Sequence, residues 1–153
     1  MKLMGLIKKL VKTDCGAAAV EFALISPIVA IVILGVADFG FLTLKSTQVS
    51  SATRAGIQFV MTDPEDYAAN ISSVVTNSTN LDADNMTVTT SEGCRCLGSS
   101  TSVDCDTDTC SGNAPPKYVT ITTTYSHDMI MGYPGVDNPF TVTKTAVIRI
   151  PNS

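Results

Sequence analysis

The chain has 153 residues, which is enough for one modest domain with accessory segments. Its 14 acidic and 10 basic residues give a formal net charge of -4, which argues against a nucleic-acid-binding protein, because such a protein needs a basic face. Tryptophan is absent and aromatic residues make up only 6% of the chain, so the folded core must be small.

The charges are divided by one long apolar run. Most of the acids lie after the run, between Asp63 and Asp137. The basic residues before the run are Lys2, Lys8, Lys9 and Lys12. Lysine and arginine next to a membrane span keep that flank in the cytoplasm. The charge pattern therefore predicts that the larger C-terminal part faces the other side of the membrane.

The apolar run is long enough to cross a membrane. No side chain from Phe22 to Ala37 is charged. As a helix, residues 17–44 would be about 42 Å long at ~1.5 Å per residue, against roughly 30 Å of hydrocarbon. Glu21 and Asp38 then fall near the two borders, where a charge costs less than at the centre. We predict one transmembrane helix over 17–44.

Pro27 lies inside this predicted helix and removes one backbone donor, so a kink is expected there.

A cleaved secretory signal peptide is one alternative for the segment. Its apolar region usually spans about 7–15 residues before a small-x-small cleavage site. The present run is longer and no polar cleavage region follows it. An uncleaved signal anchor remains a second alternative.

The residues GAAAVEF, from Gly16 to Phe22, resemble the processing site of type IV prepilins. The longer segment GAAAVEFALISPIVAIVILGVADFG, over 16–40, resembles the TadE-like family of tight-adherence (Flp) pilus minor pilins or pseudopilins. The similarity covers the first 60 residues or so. Asp14 and Cys15 depart from it, because the family often has basic residues there. The resemblance implies that a prepilin peptidase removes a basic leader, residues 1–16, by cleaving between Gly16 and Ala17.

The resemblance also implies a role for Glu21, which is followed by Phe22. The Glu21 carboxylate would meet the N-terminal amine of a neighbouring subunit, and the pairing would let both charges enter an apolar bundle. The alternative is a border residue without a partner. The implied partners are the prepilin peptidase, the major pilin, sibling minor pilins and the inner-membrane pilus platform. The implied location is the bacterial inner membrane, with a periplasmic head that could enter an extracellular pilus.

Helical spacing continues after the apolar run. The apolar and small residues at this spacing are Val49, Ala52, Gly56, Ile57 and Val60. This pattern predicts that the helix extends beyond the membrane as a stalk. A second helix is predicted next, with Asp63 as its N-cap and Pro64 in its first turn.

The C-terminal part has the alternation of β-strands. The strand-like segments are MTVTT from Met86, YVTITTTY from Tyr118 and FTVTKTAVIRI from Phe140. The loop HDMIMGYPGVDNP separates the last two. Such alternation fits an antiparallel sheet with one solvated face, which a helix would cover on the other face. We predict an α+β fold, with residues 45–153 forming a small head.

Four cysteines fall within the segment CRCLGSSTSVDCDTDTC: Cys94, Cys96, Cys105 and Cys110. Zinc ribbons favour Cys-x2-Cys pairs, whereas the spacings here are Cys-x-Cys and Cys-x4-Cys. An oxidising compartment outside the inner membrane favours two disulfides instead. Of the three possible pairings, a crossed or nested one is favoured over a bond between Cys94 and Cys96.

Other candidate sites are weak. Asp104, Asp106 and Asp108 open like a calcium loop, but glycine at its sixth position and glutamate at its twelfth are missing, so solvated turn residues are favoured. No motif marks a nucleophile to act with His127, and neither an enzyme nor a cofactor is predicted.

The sequence thus favours a structural minor pseudopilin. The rivals are a signal-anchored adhesin or sensor and, more weakly, a membrane-tethered hydrolase.

Overall fold

The computed structural model describes residues 15–150, without the side chains of Cys15 and Ala17. Residues 1–14, which include most of the predicted leader, and residues 151–153 lie outside the described part. The chain divides into two compact units, of which the first ends at Gly40 and the second begins at Phe41. The predicted boundary between transmembrane helix and head, at 44/45, stays a prediction.

Helix α1 spans Cys15–Thr62. It includes the whole apolar run, and it continues beyond that run as the residue spacing predicts. The helix remains assigned through Pro27. In the second unit, the buried face of α1 includes Val49, Ala52 and Val60, which are fully buried.

Helix α2 spans Tyr67–Asn77 and starts later than the sequence predicts. The Asp63 carboxylate accepts a 3.3 Å hydrogen bond from the Asp66 backbone N–H, so it closes a turn. Asp66 is the N-cap residue, and its side chain makes no capping hydrogen bond. The prediction of Asp63 as the N-cap is therefore wrong. Tyr67, Ile71 and Val75 form the buried face of α2.

Four antiparallel strands make one sheet in the order β2-β1-β3-β4. Their bounds are β1 Met86–Arg95, β2 Ser102–Val103, β3 Lys117–His127 and β4 Phe140–Ile150. A short 3-10 helix, Ala83–Asn85, precedes β1. The predicted α+β fold, with a long N-terminal helix and a small antiparallel sheet, is confirmed.

The core of the second unit lies between the helices and one face of the sheet, which we call the inner face. Val119 and Ile121 of β3 are fully buried there, in one cluster with residues of α1 and α2. Gly56 of α1 is also buried, and a Cβ atom at this position would lie 2.7 Å from Val75 Cγ2. The absence of a side chain at Gly56 therefore allows α1 to approach α2 closely.

Strand β4 is at one edge of the sheet and, within residues 15–150, pairs only with β3. Its inner face carries Phe140, Val142, Ala146, Ile148 and Ile150, as the alternation predicts. Lys144 lies in the same row, opposite Thr123 of β3. Lys144 is thus a cation in the middle of an otherwise apolar row on the inner face of β4.

Candidate functional site

The first candidate site is the apolar part of α1 in the N-terminal unit. Its large apolar side chains between Val20 and Phe39 are 38 to 75% exposed. Four successive residues, from Ile31 to Leu34, are all exposed. Because consecutive helical residues are about 100° apart, they place apolar surface on every side of the helix. Such a helix requires a lipid or protein environment.

Glu21 and Phe22 lie near the start of this surface. Both are exposed, and Phe22 is 75% exposed. Gly16 and Ala17 are in the first turn of α1, with Gly16 exposed. Ala17 and Glu21 are four residues apart along α1, which is about one helical turn. This placement brings the predicted processing point and the predicted pairing residue within one helical turn.

Length and composition also allow this helix to cross a membrane. The candidate span is Ala18–Thr62, and its most apolar window is not buried in the protein. Asp38, near the end of the apolar run, is 1% exposed, in contrast to Glu21. The predicted kink at Pro27 remains a prediction.

The second candidate site is the disulfide-bonded loop that follows β1. Cys94 bonds to Cys105, and Cys96 bonds to Cys110. Their Cα–Cα distances are 5.2 Å and 5.4 Å. The pairing is crossed, which is one of the two arrangements favoured by the sequence. Because Cys94 also belongs to β1 and is buried, the loop is joined covalently to the sheet.

The three aspartates of this loop stabilise its turns. The Asp104 carboxylate accepts backbone hydrogen bonds from Asp106 (2.9 Å) and Thr107 (3.1 Å), while Asp108 accepts one from the Asp104 N–H (2.8 Å). The bonds from Asp106 and then Thr107 lower the pKa of the Asp104 carboxyl. Within the described chain, no group of three or more His, Cys, Asp or Glu side chains could hold a metal ion.

An ionic contact that the sequence analysis missed joins α2 to the sheet. The Tyr67 hydroxyl donates a short hydrogen bond to the Glu92 carboxylate, which also lies 2.5 Å from Lys117 Nζ. The contacts with Lys117 and then Tyr67 lower the pKa of Glu92. Burial, followed by the bond to Glu92, raises the pKa of Tyr67 well above its ordinary value. No local motif marks these three residues, which come from three separate elements.

His127 ends β3, opposite Phe140 of β4. Its imidazole is partly buried. Asp128 follows it in the loop and is exposed. His127 therefore lies at the end of the sheet, and Asp128 lies in the loop that follows.

The elements above define a class of protein that has, within residues 15–150, one apolar helix able to span a membrane and a disulfide-bonded α+β unit. Residues 16–58 match the model of a protein family described as TadE-like protein. The predicted resemblance to the TadE-like family is thus confirmed over this segment, which indicates a protein associated with the Tad pilus. No significant match was found among characterised proteins or among solved structures.

Proposed function

We propose that the protein is a minor pseudopilin that takes part in the biogenesis or structure of a tight-adherence pilus. Residues 1–16 are its leader, 17–44 its transmembrane helix and 45–153 its periplasmic or extracellular head. One observation carries the proposal. The segment that matches the TadE-like family exposes apolar side chains on all sides and has Glu21 near its start.

The mechanism is one of packing. Cleavage after Gly16 creates an amine on Ala17, one helical turn from Glu21. An unpaired carboxylate is costly in an apolar bundle, whereas a carboxylate that meets the amine of a neighbouring subunit is tolerated. The pair therefore sets the axial register of one helix against the next. The exposed apolar surface around Ile31–Leu34 then packs against other subunits or lipid.

The proposal assigns partners to each stage. The prepilin peptidase acts first, at the inner membrane. The inner-membrane platform then receives the processed subunit, which packs with the major pilin and sibling minor pilins. The net charge of -4 gives nucleic acid no role in this scheme. The role is structural, and no reaction is assigned to His127.

The first test is the N-terminus of the mature protein, determined by mass spectrometry on membranes with and without active prepilin peptidase. We expect a chain that starts at Ala17 only when the peptidase is active. A Gly16→Leu variant should remain unprocessed, because its side chain obstructs the extended backbone that the protease binds. A chain that starts at Met1 in both membranes would contradict the proposal.

The second test is incorporation into filaments. Glu21→Gln keeps the size of the side chain but removes the charge, so it should enter membranes normally and be lost from purified pili. Glu65→Gln is the matched control, since Glu65 is an exposed acid outside the apolar run. If Glu21→Gln leaves pilus number and composition unchanged, the pairing is wrong and a signal-anchored adhesin or sensor becomes the better account.

A further inference from the structure

The face of the sheet opposite the core, which we call the outer face, is covered with hydroxyl groups. Side chains alternate along each strand, so the pairing register places ten serine and threonine residues on this face. They are exposed or partly exposed. They are Thr87, Thr89 and Ser91 of β1, Thr120, Thr122, Thr124 and Ser126 of β3, and Thr141, Thr143 and Thr145 of β4.

These hydroxyls form rows across the strands. In one row Thr89 lies opposite Thr122, which lies opposite Thr145. The hydroxyls of Thr122 and Thr145 are 3.3 Å apart, and those of Thr124 and Thr143 are 3.4 Å apart in the next row. Each hydroxyl can donate one hydrogen bond and accept others. A hydroxyl that contacts its neighbour in the row can therefore still form hydrogen bonds on the solvent side.

The outer face is basic although the chain is acidic overall. Its two charged positions in the described strands are Arg95 and Arg149, and none of its positions in β1, β3 or β4 is acidic. Among residues 15–150, neither arginine forms an ion pair. Glu92 and Lys117, which do pair, involve the opposite face through Tyr67.

Arg95 lines a shallow hollow of about 190 Å³ at one end of the face, and Arg149 lies beside it on β4, opposite Tyr118 of the lining. Gly93 lies directly opposite Tyr118, so the position across the strands from that ring carries no side chain. Arg95 Cζ lies 4.2 Å from the centre of the Tyr118 ring, which holds the guanidinium in place over it. Ser91, Thr120 and Val147 line the hollow toward the hydroxyl rows. Glu92 also belongs to the lining, and its carboxylate is engaged by Lys117 and Tyr67.

We propose that the outer face binds a linear acidic polysaccharide, with a sugar carboxylate held between Arg95 and Arg149 and the following sugar hydroxyls laid along the threonine rows. A guanidinium binds a carboxylate through paired N–H donors. Hydroxyl groups match a polyhydroxylated ligand, because both partners donate and accept. The proportion of ten hydroxyls to two cations favours this ligand over nucleic acid, whose affinity depends on many phosphate contacts.

The inference depends on the proposed function only in placing the second unit outside the inner membrane, and its test does not depend on processing or filament entry. The full chain in detergent micelles is titrated with decagalacturonate, and binding is measured by calorimetry. Maltodecaose, a neutral oligosaccharide of equal length, is the control ligand. We expect decagalacturonate to bind and maltodecaose to bind at least about tenfold more weakly, as loss of a charge-assisted contact implies.

Matched variants locate the site. Arg95→Gln and Arg149→Gln should each weaken decagalacturonate binding about tenfold. Lys144→Gln removes the same charge from the inner face of β4 and should leave binding unchanged. Gly93→Val tests the hollow without altering charge, because a Cβ there would meet only Ser102 Oγ, at 4.0 Å. It should weaken binding while the thermal midpoint is retained.

The hydroxyl rows are tested with Thr122→Val/Thr145→Val, which keeps the side-chain shape and should weaken binding about threefold or more. Equal loss in Lys144→Gln and Arg149→Gln would show a general charge effect and overturn the proposal. Equal binding of maltodecaose, or competition by polyphosphate at the same concentration as decagalacturonate, would also overturn it. Unchanged binding in Gly93→Val would exclude the hollow as the carboxylate site.

Discussion

The Tyr67 hydroxyl donates a hydrogen bond to the Glu92 carboxylate, which joins helix α2 to strand β1 across 25 residues of sequence. Lys117 of β3 contacts the same carboxylate. Tyr67 is 3% exposed, whereas the side chains of Glu92 and Lys117 are 42% and 38% exposed. The partly exposed ion pair is screened by water, so we expect the buried end of this contact to contribute most of its stability.

The contribution of the Glu92 carboxylate to stability should depend on pH. Because its pKa is lower in the folded protein than its ordinary value of 4.5, its contribution is present above that value and is lost as the pH falls through the folded pKa. Glu92→Gln should therefore have a lower thermal midpoint than the wild type at pH 7. At low pH the difference between the two proteins should disappear. We expect about 1 kcal/mol at pH 7, measured by calorimetry of the full chain in micelles.

Glu65→Gln serves as the control for this measurement, since Glu65 is exposed in the turn before α2. Tyr67→Phe should reproduce about 1 kcal/mol of the loss at pH 7, because it removes the donor and keeps the ring. If the thermal midpoints of the wild type and of Glu92→Gln differ by the same amount from pH 7 to pH 3, the assigned role of the carboxylate is excluded.

A second prediction concerns Gly56. Gly56→Ala should destabilise the second unit by about 1–3 kcal/mol, because the added methyl group would overlap Val75 and approach Ile71 and Ile121 at 3.3 Å. The loss should exceed the gain of about 1 kcal/mol that alanine brings to a helix. Thermal unfolding of the full chain measures the net change.

Gly40→Ala provides the control, since Gly40 is in the same helix and a Cβ there would meet nothing within 4 Å. The double variant Gly56→Ala/Val75→Ala should lose less stability than the two single changes added together, because Val75→Ala removes the overlapping methyl group. Additive losses would mean that Val75 does not limit the approach of the helices.

Thr123→Val is expected to increase stability. Thr123 is fully buried, and its hydroxyl has no hydrogen-bond partner within the described structure. An unsatisfied buried hydroxyl is unfavourable, and valine has nearly the same shape. We expect an increase of about 1 kcal/mol in the free energy of unfolding. Thr122→Val, on the outer face of the same strand, should change stability by less than about 0.5 kcal/mol; equal effects would disprove the cause assigned here.

The crossed disulfide pairing predicts the products of digestion under non-reducing conditions. Trypsin cleaves after Arg95 and Lys117, and an aspartate-directed protease cleaves before Asp84, Asp104, Asp106 and Asp108, which puts the four cysteines on different peptides. We expect the peptide that ends at Arg95 to be linked to Asp104-Cys105. The peptide that starts at Cys96 should be linked to the one that starts at Asp108.

A peptide containing Cys94 linked to Cys110 would instead establish the nested pairing. Removing either bond, as Cys94→Ala/Cys105→Ala or Cys96→Ala/Cys110→Ala, should lower stability by about 2–4 kcal/mol. Cys94 is buried while Cys96 is partly exposed, so the first pair of substitutions should have the larger effect. Calorimetry of both double variants compares them directly.

Periodicity in the sequence predicts the elements that alternate without interruption. Strand β4, Phe140–Ile150, has the predicted bounds because apolar and polar residues alternate through almost all of it. Helix α1 is also predicted, because its apolar run and the spacing beyond it are both helical. The loop between β3 and β4 follows from its glycines and prolines.

Elements whose bounds depend on distant partners were less predictable. Strand β1 continues through Glu92 and Gly93, well past the alternating MTVTT segment, because its pairing with β3 extends to Cys94 opposite Lys117. The two residues of β2 are a strand only through pairing with β1. The arginines around Tyr118 were missed for the same reason, since three strands bring them together.

Within residues 15–150 the outer edge of β4 is unpaired, which has a consequence for a protein held at high local density. An exposed strand of this length can recruit the same strand of another molecule and start irreversible aggregation. Lys144 projects from the middle of its apolar row, and a second strand laid against that row would have to desolvate the ammonium group. The lysine thus acts as a gatekeeper, so that crowded copies of the protein remain separately folded.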